Sequence, residues 1–385
     1  RVDIPMGEFW HNSPTHDKPN DMLDAISGGH VYGKPIIQAE AFTTLRMAWD
    51  EHPGNLKAIG DRNYALGINR MVYHVFTHNP WMNRQPGMTL DGVGLYFQRN
   101  QTWWKPGKAW VQYAQRCQAM LQLGKPVVDI AVFTGDDLPR RSVLPDRLVE
   151  TLPGIFGDSI VQREKRRLAN TGEPLRELPA GVTHSANMAD PEDWIDPLDG
   201  YAYDSFNPDA LEKARIKNGR IELESGASYG LLVVPLANKL SPNKLTVQTE
   251  ERIKDLQRSG AKIVRGPFKE QSFWQYGIEQ DFEAYNNEWK KASGIAWTHR
   301  RGDQFDIYFV SNQIDSEQVV TLYLRVSGKA PEIWDPVTGE MHRVLHWKVK
   351  DGRTEVDVKL PPHGSLFVVF RQNATPPAEP RGVNW

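Results

Sequence analysis

Strand and helix patterns alternate along residues 1–122, and this alternation constrains the fold more than any other feature. Apolar runs predict strands in VDIPM, PIIQAEAF and INRMVYHVF, and helical patterns lie between them in DMLDAISGGHVYG and NLKAIGDRNYALG. Strands joined by helical crossovers run parallel. A closed (β/α)8 barrel needs about 250 residues, so these strands predict the C-terminal part of such a barrel.

The pattern changes twice further along the chain. Residues 123–285 repeat the α/β alternation: PVVDIAVFTGDD, YGLLVVPLANKLS and AKIVRG predict strands, and DRLVETLPGIFG and LTVQTEERIKDLQRSG predict helices. This favours a smaller doubly wound domain of the flavodoxin type. Residues 286–372 alternate apolar and polar positions between short turns, which is typical of an antiparallel β-sandwich. Residues 373–385 are rich in proline and predict an extended tail.

The charge and the cysteine content exclude several classes of function. The net charge of −2 does not favour a nucleic acid or a membrane surface as a partner, and no apolar run reaches the ~20 residues of a membrane span. Cys117 is the chain's one cysteine, so an intrachain disulfide and a thiolate metal cluster are both impossible. Its helical spacing with Tyr113 and Leu121 predicts a buried core residue.

Thirteen tryptophans make this chain rich in flat apolar rings of the kind that stack on sugars. Acidic and imidazole side chains accompany them where the predicted parallel strands end: Glu8 in MGEFWHN, Glu40 in QAEAFT, and His74 and His78 in YHVFTHNPW. In a barrel these ends meet at one mouth, and a glycosidase needs two carboxyl groups there. The alternatives are that the glutamates are caps or ion-pair partners and that the histidines are structural. Since YHVF is strand-like, the histidines favour hydrogen bonds to sugar hydroxyls over a metal.

Several motifs in fixed order resemble the α-L-rhamnosidases of glycoside hydrolase family 106. They are GEFW, YGKPIIQAEAFTT, GINRMVYHVFTHNPW, PGMTLDG, FQRNQTWWKPGKAWVQYAQRCQAML, VVDIAVFTGDD, GYAYDSFNPDAL and ASYGLLVVPLANKLS. The resemblance implies an inverting, exo-acting enzyme that removes terminal rhamnose, with the site in a barrel and with calcium near the sugar. Glu40 matches the glutamate that activates water, and Glu8 matches a second essential acidic position.

The family's proton donor lies on an earlier barrel strand that this sequence does not contain, so we expect a complementing N-terminal segment, or a homo-oligomer, to complete the site. We expect Trp10, Trp81, His74 and His78 to shape the pocket, with Arg99 on the following loop. Residues 123–285 resemble a glutamine-amidotransferase-like domain, here without a cysteine nucleophile. We therefore expect Asp136, Asp137 and Asp204 to be solvated loop carboxylates.

Two other functions remain open: a barrel glycosidase acting on another sugar, such as a β-galactoside, and a carbohydrate-binding fragment without catalysis. We expect no organic cofactor, since no glycine-rich phosphate loop follows a strand. Because polysaccharide breakdown usually takes place outside the cytoplasm, we expect a periplasmic or secreted protein.

Overall fold

The computed structural model describes residues 2–11, 19–44, 49–90, 92–136, 195–196, 198–236, 245–266 and 272–377. The helix predicted in DRLVETLPGIFG and the residue Asp137 lie outside these ranges. Within them, no helix has the length and apolar character needed to cross a membrane.

The first unit is a parallel sheet of three strands in the order β1-β2-β3, with helices on one side. Its elements are β1 (Met6–Trp10), α1 (Pro19–Val31), β2 (Gln38–Thr43), α2 (Pro53–Leu66), β3 (Arg70–Tyr73) and α3 (Gly107–Leu121). The predicted order of strands and helices is therefore confirmed. The strand in VDIPM is displaced, since β1 begins at Met6, after Pro5, which has no N–H to donate to a neighbouring strand.

The two faces of this sheet differ. Phe9, Ala39 and Ala41 are buried against the helices, while Met6 and Val72 point the other way and are 45% and 42% exposed. Gly7 lets α1 lie close on the packed face, because a Cβ there would come within 2.7 Å of the carbonyl oxygen of Asp21. The sheet thus has one packed face and one open face.

The second unit is another parallel sheet, in the order β11-β10-β5-β6. After the short strand β4 (Lys125–Pro126), its elements are β5 (Ile130–Phe133), β6 (Tyr203–Phe206), α4 (Pro208–Lys213), β10 (Leu231–Val234), α5 (Val247–Arg258) and β11 (Ile263–Arg265). A small antiparallel sheet joins α4 to β10 and consists of β7 (Arg215–Lys217), β8 (Arg220–Glu222) and β9 (Ser228–Tyr229). The chain builds outward in both directions from β5, which is the order of a doubly wound sheet.

Two antiparallel sheets form the third unit and share an apolar core, the packing that a β-sandwich requires. The smaller sheet contains β12 (Phe282–Asn286), β15 (Gln318–Leu324), β18 (Trp347–Lys350) and β19 (Arg353–Leu360). The larger sheet contains β13 (Ile295–Arg301), β14 (Asp306–Asn312), β16 (Lys329–Trp334), β17 (Met341–Arg343) and β20 (Ser365–Asn373), together with β4. β12 crosses the boundary predicted at residue 285 and pairs along its whole length within this unit.

The larger antiparallel sheet is covered on both faces. Tyr308 and Val310 of β14 face the core between the two antiparallel sheets, whereas Ile307 and Phe309 pack into the same cluster as α2 and α3. This explains why β14 is buried at every position instead of alternating. The first and third units therefore share a core although the sequence predicts them as separate domains.

Two carboxylates that we expected to be solvated are partners inside the fold. Asp204 lies on β6, is 1% exposed, and accepts a hydrogen bond from the Tyr229 hydroxyl at 2.9 Å. Nδ1 of His30, on α1, lies 2.9 Å from the same carboxylate. Asp136 accepts from the backbone N–H of Thr246 at 2.8 Å, at the start of α5. The expectation was wrong for Asp204, which pairs with polar groups that would otherwise be buried unpaired. Asp136 remains partly exposed and bonds to the start of α5.

Candidate active site

Glu8 and Glu40 are direct register partners on β1 and β2. Partners on adjacent parallel strands project to the same face, and the strands lie about 4.8 Å apart. Both side chains are partly buried and belong to the open face of the sheet, together with Met6 and Val72. The two glutamates therefore lie side by side where a ligand can reach them.

Both glutamates lie inside their strands, not at the strand ends where the sequence places them. β1 continues past Glu8 to Trp10, and β2 continues past Glu40 to Thr43. Each lies within three residues of the carboxyl end of its strand, so the sequence predicted the correct edge of the sheet for both glutamates. His74 does follow directly after the last residue of β3.

A bulge interrupts β2 just after Glu40. The register of β1 and β2 shifts by one residue, so that Trp10 pairs with Thr43. Phe42 adopts a φ of 65°, in the left-handed region that non-glycine residues rarely occupy. Its fully buried ring packs edge-on against Phe9 and Trp110, with centroids 5.0 and 5.7 Å away. The aromatic core thereby holds the backbone in a costly conformation, which is a common property of functional sites.

The bulge places the Thr43 hydroxyl beside Glu40. Thr43 Oγ1 donates to Glu40 Oε1 at 2.6 Å, and the Thr43 carbonyl accepts from the backbone N–H of His11 at 2.7 Å. Among the described residues, Thr43 is the hydrogen-bond partner that the structure shows for the Glu40 carboxylate. The second carboxylate oxygen is left for another partner.

His74 continues the pattern of β3 beyond Tyr73. Its backbone N–H donates to the Ala41 carbonyl at 3.1 Å, and its carbonyl accepts from Leu95 at 2.9 Å. Gly94 lies against the imidazole, since a Cβ there would come within 2.9 Å of Nδ1. That nitrogen is buried and has no hydrogen-bond partner within the described part of the chain. Strand alternation puts His74 on the same face as Val72, towards the glutamates.

The remaining predicted site residues lie on the loop between β3 and α3. His78 is exposed, and Trp81 is 50% exposed with the Arg84 guanidinium 4.7 Å from its ring centroid. Arg99 is exposed and donates from Nη2 to the Asn79 carbonyl at 2.9 Å. Among the described residues none of these side chains bonds to Glu40. The structure thus groups Glu8, Glu40, Trp10 and His74, and leaves His78, Trp81 and Arg99 on the surrounding loop.

Uncharged aromatic groups support the site from the packed side of the sheet. The Tyr73 ring stacks on Phe97 with centroids 4.6 Å apart. Burial raises the pKa of Tyr73 far above its usual range, so the phenol stays neutral. Burial also raises the pKa of Cys117, which is fully buried on α3 as predicted and is no nucleophile. Neither Tyr73 nor Cys117 therefore ionises readily beneath the site.

The described residues offer no ligand set for the expected calcium ion. Nowhere in these ranges do three or more His, Cys, Asp or Glu side chains come together to hold a metal. Glu8 and Glu40 supply two carboxylates, and their neighbours Thr43, Trp10 and His74 do not complete an oxygen-rich shell of the six to eight ligands that calcium prefers.

The sequence analysis missed Thr43 and Gly94. Regular alternation puts Thr43 with Ala39 and Ala41 on the packed face, because only the bulge turns it towards Glu40. One feature of the sequence could have indicated the bulge. Regular alternation would place the large apolar ring of Phe42 on the open face beside Glu40, where it would be exposed. A bulge avoids that exposure by returning the ring to the core.

Comparisons with known proteins show what this chain is similar to. The model of the glycoside hydrolase family 106, described as alpha-L-rhamnosidase, matches residues 1–165 and 264–348. A rhamnosidase structure from Novosphingobium sp. PP1Y superposes with a TM-score of 0.75 at 25% identity, over 100% of this chain and 36% of that chain.

A relative from Formosa agariphila has the provisional name beta-glucuronidase. It is 32% identical over 401 residues, which cover 96% of this chain and 30% of the relative. The chain thus spans about a third of the length of both relatives.

Proposed function

We propose a function for this chain from its family, since it belongs to glycoside hydrolase family 106, the α-L-rhamnosidases. In this proposal the chain provides the carboxylate that activates water in a rhamnosidase active site. The pairing of Glu8 with Glu40 on the open face of a parallel sheet carries this proposal. The chain is thus part of a glycoside hydrolase whose substrate is a carbohydrate, and we propose terminal α-L-rhamnose of a polysaccharide or glycoside as that substrate.

Glu40 would act as the general base of an inverting reaction. Water bonds to the anomeric carbon on the face opposite the leaving group, and its proton passes to Glu40. The bond from that carbon to the leaving oxygen breaks with its electron pair, and a general acid protonates the oxygen. The Thr43 hydroxyl bonds to Oε1 of Glu40, so Oε2 is the oxygen that faces the water.

Glu8 does not have the position expected of the general acid, which lies across the sugar from the base. An inverting pair holds its carboxyl groups about 6.5–9.5 Å apart, on opposite sides of the sugar. Glu8 starts from the same rung as Glu40, one strand spacing of about 4.8 Å away. We therefore assign Glu8 to holding the water or a sugar hydroxyl, and we place the proton donor on a strand outside β1 to β3.

The open face of the sheet supports a barrel that other strands complete. Met6 and Val72 are exposed on the face that, in a closed barrel, points inward. Within the described ranges, β1 and β3 pair only with β2. We propose that further strands close a barrel over this face and bring the general acid opposite Glu40. An N-terminal segment would supply these strands, with a second copy of the chain as the alternative.

Trp10 and His74 would form the wall of the sugar pocket, and His78, Trp81 and Arg99 its outer rim. Arg84 covers one face of the Trp81 ring, which leaves the other face for stacking. Calcium near the sugar remains an expectation from the family resemblance alone, and no step above depends on it. Because polysaccharide breakdown usually takes place outside the cytoplasm, we propose a periplasmic or secreted enzyme.

The test is Glu40→Gln in the full-length protein, assayed on an aryl α-L-rhamnoside. Loss of a general base lowers kcat by about 10²- to 10⁴-fold, while circular dichroism and the thermal midpoint stay unchanged. Glu340→Gln is the matched control, since that carboxylate is on the surface with its partner His342 at 3.4 Å. A Glu40→Gln enzyme with normal kcat refutes the assignment.

A second candidate is hydrolysis of a different glycoside, which the name of the Formosa agariphila relative favours. A panel of aryl α-L-rhamnoside, β-glucuronide and β-galactoside separates the candidates by kcat/KM. Calorimetric binding of rhamnose without turnover of any glycoside by the full-length protein would instead indicate a carbohydrate-binding protein.

A further inference from the structure

The bulge in β2 has a specific effect on the side chains that follow Glu40. Residues separated by three positions in a regular strand point to opposite faces. Because Phe42 takes a left-handed conformation and adds one residue to the strand, Thr43 returns to the face of Glu40. The Thr43 side chain is fully buried, and its hydroxyl is 2.6 Å from Glu40 Oε1.

We infer that Thr43 is a positioning residue for catalysis, which fixes the orientation of the Glu40 carboxylate so that one oxygen is directed at the attacking water. The inference rests on the proposed function, since it gives Thr43 a role only if Glu40 is the base. Thr43 touches neither water nor sugar in this role and acts through Glu40 alone.

Three features of the structure make the Thr43 hydroxyl a rigid donor. A β-branched side chain has few χ1 rotamers. The backbone of Thr43 is tied to β1 by the bond from the His11 N–H to its carbonyl, at 2.7 Å. The preceding residue, Phe42, is anchored by ring contacts with Phe9 and Trp110. Thr43 therefore cannot turn away from Glu40 without disturbing the aromatic core.

The chemical consequence concerns the proton that Glu40 must accept. A hydroxyl that donates to a carboxylate makes a short, charge-assisted bond that fixes the carboxylate in one rotamer. With Oε1 engaged by Thr43, Oε2 is the oxygen that remains for the proton. Loss of the donor should therefore release the carboxylate rotamer and misdirect Oε2.

The test compares Thr43→Val, Thr43→Ser and Thr44→Val in the full-length enzyme. Valine keeps the shape and removes the donor, serine keeps the donor, and Thr44 is the neighbouring buried threonine, for which the structure shows no bond to Glu40. The measurements are kcat and KM for an aryl α-L-rhamnoside and the thermal midpoint of each variant.

We expect Thr43→Val to lower kcat by about ten- to a hundredfold, the effect of a hydrogen bond to a charged group, with KM changed by less than about threefold. Thr43→Ser should restore kcat, and Thr44→Val should leave kcat and KM unchanged. If Thr43 served only to pack the strand, Thr43→Val would lower the thermal midpoint and leave kcat unchanged.

An unchanged kcat in a folded Thr43→Val enzyme would overturn the inference. If Glu40→Gln is inactive in the same series, the proposed function stands while the role of Thr43 fails; an active Glu40→Gln contradicts both. If Thr43→Val does not fold, Thr43→Ala is compared with Thr43→Ser, since alanine must lower kcat and serine must not.

Discussion

Glu8 and Glu40 face the same side of the sheet from a single rung, with one strand spacing between them. In the proposed function, such a pair acts on one side of the sugar ring and not from two sides. Glu40 accepts a hydrogen bond from Thr43, and a bulge follows it. These features support the proposed base role of Glu40 and lead to a chemical test of each glutamate.

Azide should rescue Glu40→Ala and not Glu8→Ala. An azide ion attacks carbon without giving up a proton, so it replaces the water that a missing general base can no longer activate. We expect Glu40→Ala to lose about 10²- to 10⁴-fold in kcat, to recover in azide, and to yield the rhamnosyl azide of inverted configuration. Product analysis by NMR measures this outcome. If azide rescued Glu8→Ala and not Glu40→Ala, Glu8 would be the general base and Glu40 the second carboxylate.

Replacement of Gly94 by alanine should damage substrate binding through His74. The new Cβ would meet Nδ1 of the imidazole at 2.9 Å, and Gly94 has a φ of 97°, which is strained for any other residue. We expect KM to rise about tenfold with a smaller change in kcat, because the wall of the pocket moves while Glu40 does not. Gly219→Ala is the control for strain alone, since its φ is 73° and nothing lies within 4 Å of its Cβ. Equal kinetics for both variants would contradict the role of His74.

A buried carboxylate joins the helices of the first unit to the larger antiparallel sheet. Asp61 on α2 is fully buried and accepts from Lys57 at 2.5 Å, from Ser311 at 3.2 Å and from the hydroxyl of Tyr113. Tyr113 also lies 3.2 Å from the hydroxyl of Ser365.

Mutation of this network should destabilise the first and third units together. Asp61→Ala leaves the Lys57 ammonium without its anion, and we expect a loss of about 3–5 kcal/mol in the free energy of unfolding. Tyr113→Phe should cost about 1–3 kcal/mol. Urea titrations followed by fluorescence and by circular dichroism measure the losses, with Glu251→Gln, in an exposed pair with Lys254, as a neutral control. Separate transitions for the two probes would contradict a shared core.

His299 on β13 makes stability depend on pH. The ring is 1% exposed, with Nδ1 2.8 Å from Asp281 and Nε2 3.1 Å from Asp306. Burial works against the charged imidazole, but the two carboxylates outweigh it and raise the pKa of His299 above 6.5. For Asp281, burial again opposes the charge, yet His299 and Arg325 lower its pKa to about 2.

The signs of these shifts define a pH window. The raised pKa of His299 adds stability that is complete below pH 6.5 and is lost as the pH rises through the folded-state value. The lowered pKa of Asp281 adds stability that is complete above pH 3.8 and is lost as the pH falls towards about 2. We expect the contribution of this pair to be largest between these limits. Thermal midpoints from pH 5 to 9 should fall more steeply for the natural protein than for His299→Gln; parallel curves would contradict this.

The sequence predicted the elements that depend on local periodicity and missed those that depend on tertiary packing. The order of β1, α1, β2, α2 and β3 follows from apolar spacing, and Glu8 and Glu40 were placed near the correct edge of the sheet. The position of Thr43 could not follow from period-two alternation, because the bulge exists only where the Phe42 ring finds Phe9 and Trp110. Similarly, the burial of Asp204 depends on His30, which is 174 residues away along the chain.

The larger antiparallel sheet packs against a different neighbour on each of its faces. This limits which segments can be exchanged between members of the family. Outward residues such as Ile307 and Phe309 must match α2 and α3, while Tyr308 and Val310 between them must match the other antiparallel sheet. If the segment with β1, β2 and β3 came from another family member, its helices would not fit the outward face of β14 unless every second residue of that strand were exchanged as well. Chimeric enzymes in this family should therefore fold when the outward residues of β14 come from the same parent as the sheet that carries Glu8 and Glu40.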